Sequence, residues 1–208
     1  MANPDAALPA GAAEWPADFR RAVAGLSGAG LRPGTVVAPL PAPARLAPWS
    51  YAIAVAVGGD GATDGDEDED AASGRMVLLH DPDGVAAWDG TLRVVVFGTC
   101  EVEAEMAADP LLSEVAWSWL TERLAAHEVG FRALGGTVTT TCSTRFGDIA
   151  GPARTDDLEL RASWTASSFD TAAHLAAFAD FLAAAAGLPP EGITAIREPH
   201  HPFAVHRA

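Results

Sequence analysis

The stretch His80-Asp81-Pro82-Asp83-Gly84 sets an imidazole beside two carboxylates at the end of an apolar run, and strand ends are where catalytic acids and bases are often carried. A small hydrolase or transferase would join His80 to the loop near Gly147 and Asp148. Apart from His80, the same residues also make a plain turn, since Asp-Pro-Asp-Gly has the chemistry that tight turns need. Cys100 and Cys142 fall on expected strands, in phase with Val94, Val96 and Val102 for the first and with Val138 for the second. Buried thiols are the plainer reading, because a nucleophilic Cys needs a neighbouring His or helix N-terminus to lower its pKa. His200, His201 and His206 have no Cys beside them and no zinc-finger spacing, and His174 shares a stripe with Phe178 and Phe181, as a satisfied core histidine does. Asp64, Asp66 and Asp68 are spaced like the start of a calcium loop, but Glu69 and Arg75 occupy the positions where that loop has Gly and Glu. Nucleophile elbows, phosphate-cradling loops and dinucleotide fingerprints are missing. No cofactor and no specific metal are expected, and a non-enzymatic protein fits better than an enzyme.

Binding offers more. Arg93, Arg145 and Arg161 lie on or beside expected strands, with Glu101, Glu103 and Glu159 also facing outward. Cross-strand ion pairs explain this arrangement, but Arg145, Arg161 and Trp117 would also border a groove for an acidic or peptide partner, because Arg and Trp are favoured at binding hot spots. His80 completes the set of candidate binding residues. The partner would be another protein or a second copy of the chain. The formal charge of -15 and a pI near 4.6 disfavour direct nucleic-acid binding, which normally shows a basic stripe. All 13 basic residues are Arg, which together with abundant Ala suggests a GC-rich bacterial coding bias.

These residues need elements to hold them. Residues 1–14 have no periodicity and suit a flexible tail, residues 15–190 suit a single domain, and residues 191–208 form a Pro- and His-containing tail. Pro16 to Leu26 has helical spacing, with Phe19, Val23 and Leu26 on one face. Five prolines between Leu31 and Pro48 call for an extended connection, to which Val36 and Val37 could add an edge strand. Strands are expected at Trp49–Val57, Arg75–His80 and Thr91–Ala104, with a disordered acidic loop at 58–74 between the first two. Asp109 and Pro110 have the chemistry of an N-cap and first helical residue. They open a helix to His127 with Leu111, Leu112, Val115, Ala116, Trp119, Leu120 and Leu124 on a broad apolar arc. Trp119 lies near the arc's centre, in the core, and Trp117 at its rim. Thr137–Thr144 is a fourth strand. Asp157–Thr165 alternates cleanly as a fifth, with Leu158, Leu160, Ala162 and Trp164 inward. A last helix starts at Asp170 and stops at Gly187.

The order helix, three strands, helix, two strands, helix gives an α+β fold, a single antiparallel sheet of about five strands covered by helices. No basic n-region precedes an apolar core, and the apolar run Thr171–Leu188 carries His174 and Asp180, so neither a signal peptide nor a membrane span is expected. With 49% hydrophobic residues and only two cysteines, a cytoplasmic protein with reduced thiols follows. In element order the chain is similar to type III secretion chaperones, which implies a sheet able to dimerise and bind a partner's polypeptide. Arg45-Leu46-Ala47-Pro48-Trp49, Leu78-Leu79-His80-Asp81-Pro82, Glu105 to Leu112, Trp117-Ser118-Trp119-Leu120 and Arg161-Ala162-Ser163-Trp164 carry a more specific likeness. Between Phe19 and Pro190 these segments resemble an uncharacterised actinobacterial family, domain of unknown function number three thousand. The resemblance implies no catalytic residue. It implies a cytoplasmic actinobacterial protein whose gene neighbourhood includes a ribonuclease D-like exonuclease, hence an accessory role in RNA turnover as a further reading.

Overall fold

The computed structural model describes residues 12–58, 71–149, 151 and 154–189. The acidic residues 59–70, the calcium-like triplet within them, and His200, His201 and His206 lie outside this set. Six strands make one antiparallel sheet: β1 (Thr35–Leu40), β2 (Trp49–Val57), β3 (Ala72–Val85), β4 (Gly90–Glu101), β5 (Phe131–Ser143) and β6 (Thr155–Ala166). Their order across the sheet is β1-β2-β3-β4-β6-β5. Four α-helices accompany them: α1 (Ala17–Leu26), α2 (Ala104–Ala107), α3 (Leu112–Ala126) and α4 (Ala172–Ala185). The α+β class and single antiparallel sheet agree with the expectation, but the count is six strands and four helices instead of about five and three. The extra strand is β1, whose Val36 and Val37 pair with Ala56 and Val55. Prolines limit it to six residues at the sheet edge, the one place where a missing N–H donor costs little.

Alternation assigns the faces. Ile53, Met76, Val96 and Ala162 form one cross-strand row and Tyr51, Leu78, Val94 and Trp164 the next, all facing the helices as part of one core cluster. α4 crosses β2, β3 and β4 on this face. It buries His174, Leu175, Phe178, Phe181 and Leu182, and two glycines make room for it. A Cβ on Gly98 would stand 2.8 Å from Leu182 Cδ2, and one on Gly74 2.8 Å from Phe178 Cζ. α1 packs on α4, and α3 lies against α4 and β5.

The long α3 differs from its sequence reading in two respects. It begins at Leu112, because Asp109 Oδ1 accepts the Leu111 N–H at 2.8 Å and Asp109 O accepts Leu112 N–H at 3.1 Å, making a turn of the segment expected as the first helical residues. Its buried residues are Leu112, Ala116, Leu120 and Leu124 only, a single stripe spaced by four. Leu111 and Val115 are 54% and 38% exposed. Trp119, expected in the core, is half-buried like Trp117. α3 flanks the sheet at its β5 edge, so it has neighbours along one stripe instead of a broad arc. The fully buried tryptophan is Trp164.

Adjacent glycines in β5 give a direct test of the two faces. A Cβ on Gly136 would meet Arg161 O at 2.3 Å and Trp117 Cζ3 at 2.9 Å, whereas one on Gly135 meets nothing within 4 Å. Gly136→Ala is expected to cost about 1–3 kcal/mol in chemical denaturation and Gly135→Ala less than about 0.5 kcal/mol.

Candidate functional site

The sheet face opposite the helices carries the next set of alternating side chains. Arg75 on β3, Phe97 on β4 and Arg161 on β6 are cross-strand neighbours in one row, continued by Ala54 on β2 and Thr137 on β5. The two guanidinium carbons lie 5.0 and 5.3 Å from the Phe97 ring centroid. The aromatic ring is therefore held between two cations that its π-face attracts. Arg161 donates Nε to Glu159 Oε1 at 2.7 Å, and that carboxylate raises the guanidinium pKa further. Arg75 has no carboxylate partner among the described residues.

Two hollows flank Phe97. One, of about 320 Å³, has Ala52, Val77 and Val95 below it and Leu40, Pro41 and Pro43 at its side. The other, of about 310 Å³, is bordered by Val95, Gly135, Arg161 and Ser163. The next residues toward one end, Leu79 and Val77, form a second small cluster with Ala52 under Trp88 and Ala47, so this end is roofed by the β3–β4 and β1–β2 connections. Arg93 is anchored there, donating to Ala133 O at 2.9 Å, Thr165 Oγ1 at 3.1 Å and Ser163 Oγ at 2.8 Å. Its pKa is lowered by burial. Ala133 has φ 51 at the point where the β5–β6 register shifts. That bulge aims its carbonyl at Arg93 and leaves the Gly135 flank of the second hollow open. The opposite end is polar, with Ser73, Thr99, Glu101 and Asp157.

The residues singled out from the sequence are scattered. Arg161 is on the bare face, but Trp117 lies under the helix-covered side of β5 against Gly136, and Arg145 is exposed after the end of β5. Trp117 and Arg161 therefore do not border one groove, because neighbouring strand positions point to opposite faces. His80 is 3% exposed. Its ring stacks on Phe19 at 5.7 Å, meets Phe169 edge-on at 5.4 Å, and Nδ1 is 2.9 Å from Thr91 O. β3 continues past it to Val85 with a register shift, and Asp83 N donates to Asp81 Oδ1 at 3.1 Å. The loop at Gly147 and Asp148 follows the far end of β5. Arg132 to Ser143 alone spans about 36 Å, so no common site unites that loop with His80.

Cys100 is buried, and burial with the Asp157 charge pushes its thiol up to about 11. Cys142, expected inward, is exposed. Its strand position faces the helix side, but β5 outruns the helices there. His174 is a core residue, 2% exposed, whose Nδ1 accepts Trp164 Nε1–H at 2.8 Å. No cluster of three potential metal ligands occurs among the described residues, and none of the described helices is long and apolar enough to cross a membrane. Phe97 and Arg75 were not singled out in the sequence. Their signal was the outward phase of β4, in which an aromatic sits where a polar side chain is expected.

The described residues thus present a sheet face without helices, centred on an arginine-flanked aromatic. Family comparison leaves the activity open. The chain belongs to DUF3000, a family of proteins of unknown function. The family match runs over residues 15–194, so it takes in the sheet, its helices and the whole Phe97 face. No curated protein matches the chain, and no solved structure matches it. The likeness to type III secretion chaperones stays an expectation from element order.

Burial lowers the His174 pKa from 6.5 to about 4, with the Asp170 charge opposing the shift. The unfolded chain therefore takes up this proton first as pH falls. The neutral-histidine stabilisation is complete above pH 6.5 and is lost as pH falls toward 4, by about 3 kcal/mol in all. His174→Gln, which keeps an acceptor for Trp164, is expected to flatten the loss of stability between pH 6.5 and 5 in denaturant titrations.

Proposed function

We propose that this DUF3000 protein is a non-enzymatic binding module whose bare sheet face receives a segment of a partner protein. The observation that carries the reading is Phe97 held between Arg75 and Arg161 with an apolar hollow on either side. Aromatic and arginine side chains are the ones most often found at the energetic centre of protein interfaces. The chemistry selects a segment in which aliphatic side chains fill the hollows and a carboxylate reaches the guanidinium groups. This reading rests on Arg75, Phe97 and Arg161 in place of Trp117, Arg145 and His80, which the fold scatters. Glu101, Asp157 and Glu159 on the same face work against a phosphate backbone, which agrees with the acidic composition and favours a polypeptide over RNA. A cytoplasmic location and an actinobacterial source accompany this reading, supported by the scarcity of cysteine and by the all-arginine basic composition.

Peptide display against the folded chain tests it. Selected peptides are expected to place Asp or Glu beside one or two aliphatic residues. Their affinity should fall at least about tenfold with Phe97→Ala or Arg161→Glu, and more weakly with added salt. Peptides that bind equally well to both variants, or a selection that enriches nothing, would contradict the assignment.

A further inference from the structure

A second cavity, of about 220 Å³, lies at the C-terminal ends of α3 and α4, where the α1–β1 connection passes them. It is bordered by Gly30, Arg32, Arg123, His127, Asp180 and Leu188. Two arginines line it with little to hold. The Nε atoms of Arg32 and Arg123 are both buried without a hydrogen-bond partner among the described residues, and neither arginine is in an ion pair there. Arg32 Nη2 makes one long contact, 3.4 Å to Pro189 O. The single carboxylate lining the cavity, Asp180, is occupied by His127 Nε2 at 2.7 Å.

Helix ends often use basic side chains to satisfy their last carbonyls, but these two do not need them. α3 closes with Val129 N–H to Leu124 O and Glu128 N–H to Ala125 O, and α4 with Leu188 N–H to Ala183 O and Gly187 N–H to Ala184 O. The two buried Nε–H donors are thus left over after the helix ends' own demands are met. Buried donors without acceptors are costly. Two arginines turned to one cavity, in a chain with more than twice as many acidic as basic residues, call for an acceptor that the described chain does not supply.

We propose that this cavity binds a small oxyanion, a phosphate or carboxylate group, between Arg32 and Arg123. The forked donors of arginine match either group in paired hydrogen bonds. Asp180 holds His127 by one ring nitrogen, which fixes the imidazole at the side of the cavity. The size admits an inorganic phosphate or a short dicarboxylate. The site is separate from the Phe97 face and independent of the partner-binding reading.

Titration of the full chain with inorganic phosphate and, separately, with succinate at constant ionic strength tests the proposal, followed by arginine Nε–H signals in ¹⁵N–¹H spectra and by calorimetry. Saturable shifts of the Arg32 and Arg123 Nε–H signals are expected with at least one of the two anions, and the anion that binds identifies the class. Arg123→Gln and Arg32→Gln should each weaken that binding about tenfold or more, while exposed Arg21→Gln leaves it unchanged. If a glutamine variant fails to fold, the wild-type Nε–H shifts still decide. No saturable shift with either anion overturns the proposal. So does binding that appears only in Glu191→Gln, since the cavity's oxyanion would then be the chain's own carboxylate.

Discussion

Close approach between α4 and the sheet is the constraint from which the rest follows. Phe178, Phe181 and Leu182 reach strands β3 and β4 because Gly74 and Gly98 present no side chain beneath them. The two phenyl rings are stacked, 6.3 Å apart with planes at 11°, and both are fully buried. Burial of each such ring is worth about 1.5–3 kcal/mol. Glycine weakens a strand, so its use at both positions shows that helix contact outweighs strand propensity there. With α4 fixed, Trp164 and His174 are brought into their buried hydrogen bond, and α1 and α3 find their places against α4.

Putting the helices on one face leaves the other to the strands' remaining side chains. Antiparallel sheets tolerate this arrangement when the second face is polar. Here it is polar only in part. One end is roofed by Trp88 and Ala47, the other is acidic, and the middle holds Phe97 with its two arginines. This middle keeps an apolar, cation-flanked surface, and it gives the contact reading a physical basis that composition alone does not.

Strong period-two alternation made β2, β4 and β6 legible, and the inward set Leu158, Leu160, Ala162 and Trp164 is as the pattern implies. The helix expected from Asp170 was legible by its apolar stripe and its end, where Gly187 takes φ 68, but it starts at Ala172 with Thr171, not Asp170, at its N-cap. β5 was foreshortened because Gly135, Gly136 and the left-handed Ala133 conceal its first half. α2, four residues long, has too few positions for a helical period to show. Trp119 misled because its position on an apolar arc says nothing of how many neighbours the helix will have. Thr165 points outward as its phase requires, yet it is fully buried, since its hydroxyl bonds Trp88 O in a connection distant in sequence. The candidate site was harder still: Arg161 was visible as an outward residue, but Arg75 and Phe97 join it only through strand pairing, and pairing across separate segments is not written in any one of them.

A Phe97 face that receives a partner is uncovered in the free protein and covered in the cell. Hydroxyl-radical footprinting of the purified chain and of the same chain inside its native host, read at single residues by mass spectrometry, measures this directly. Oxidation of half-buried Phe97, and none at buried Phe178 or Phe181, is expected in the purified protein, with Phe97 becoming protected in the cell. Protection of Phe97 in the purified chain, or equal oxidation in both settings, would contradict the contact reading.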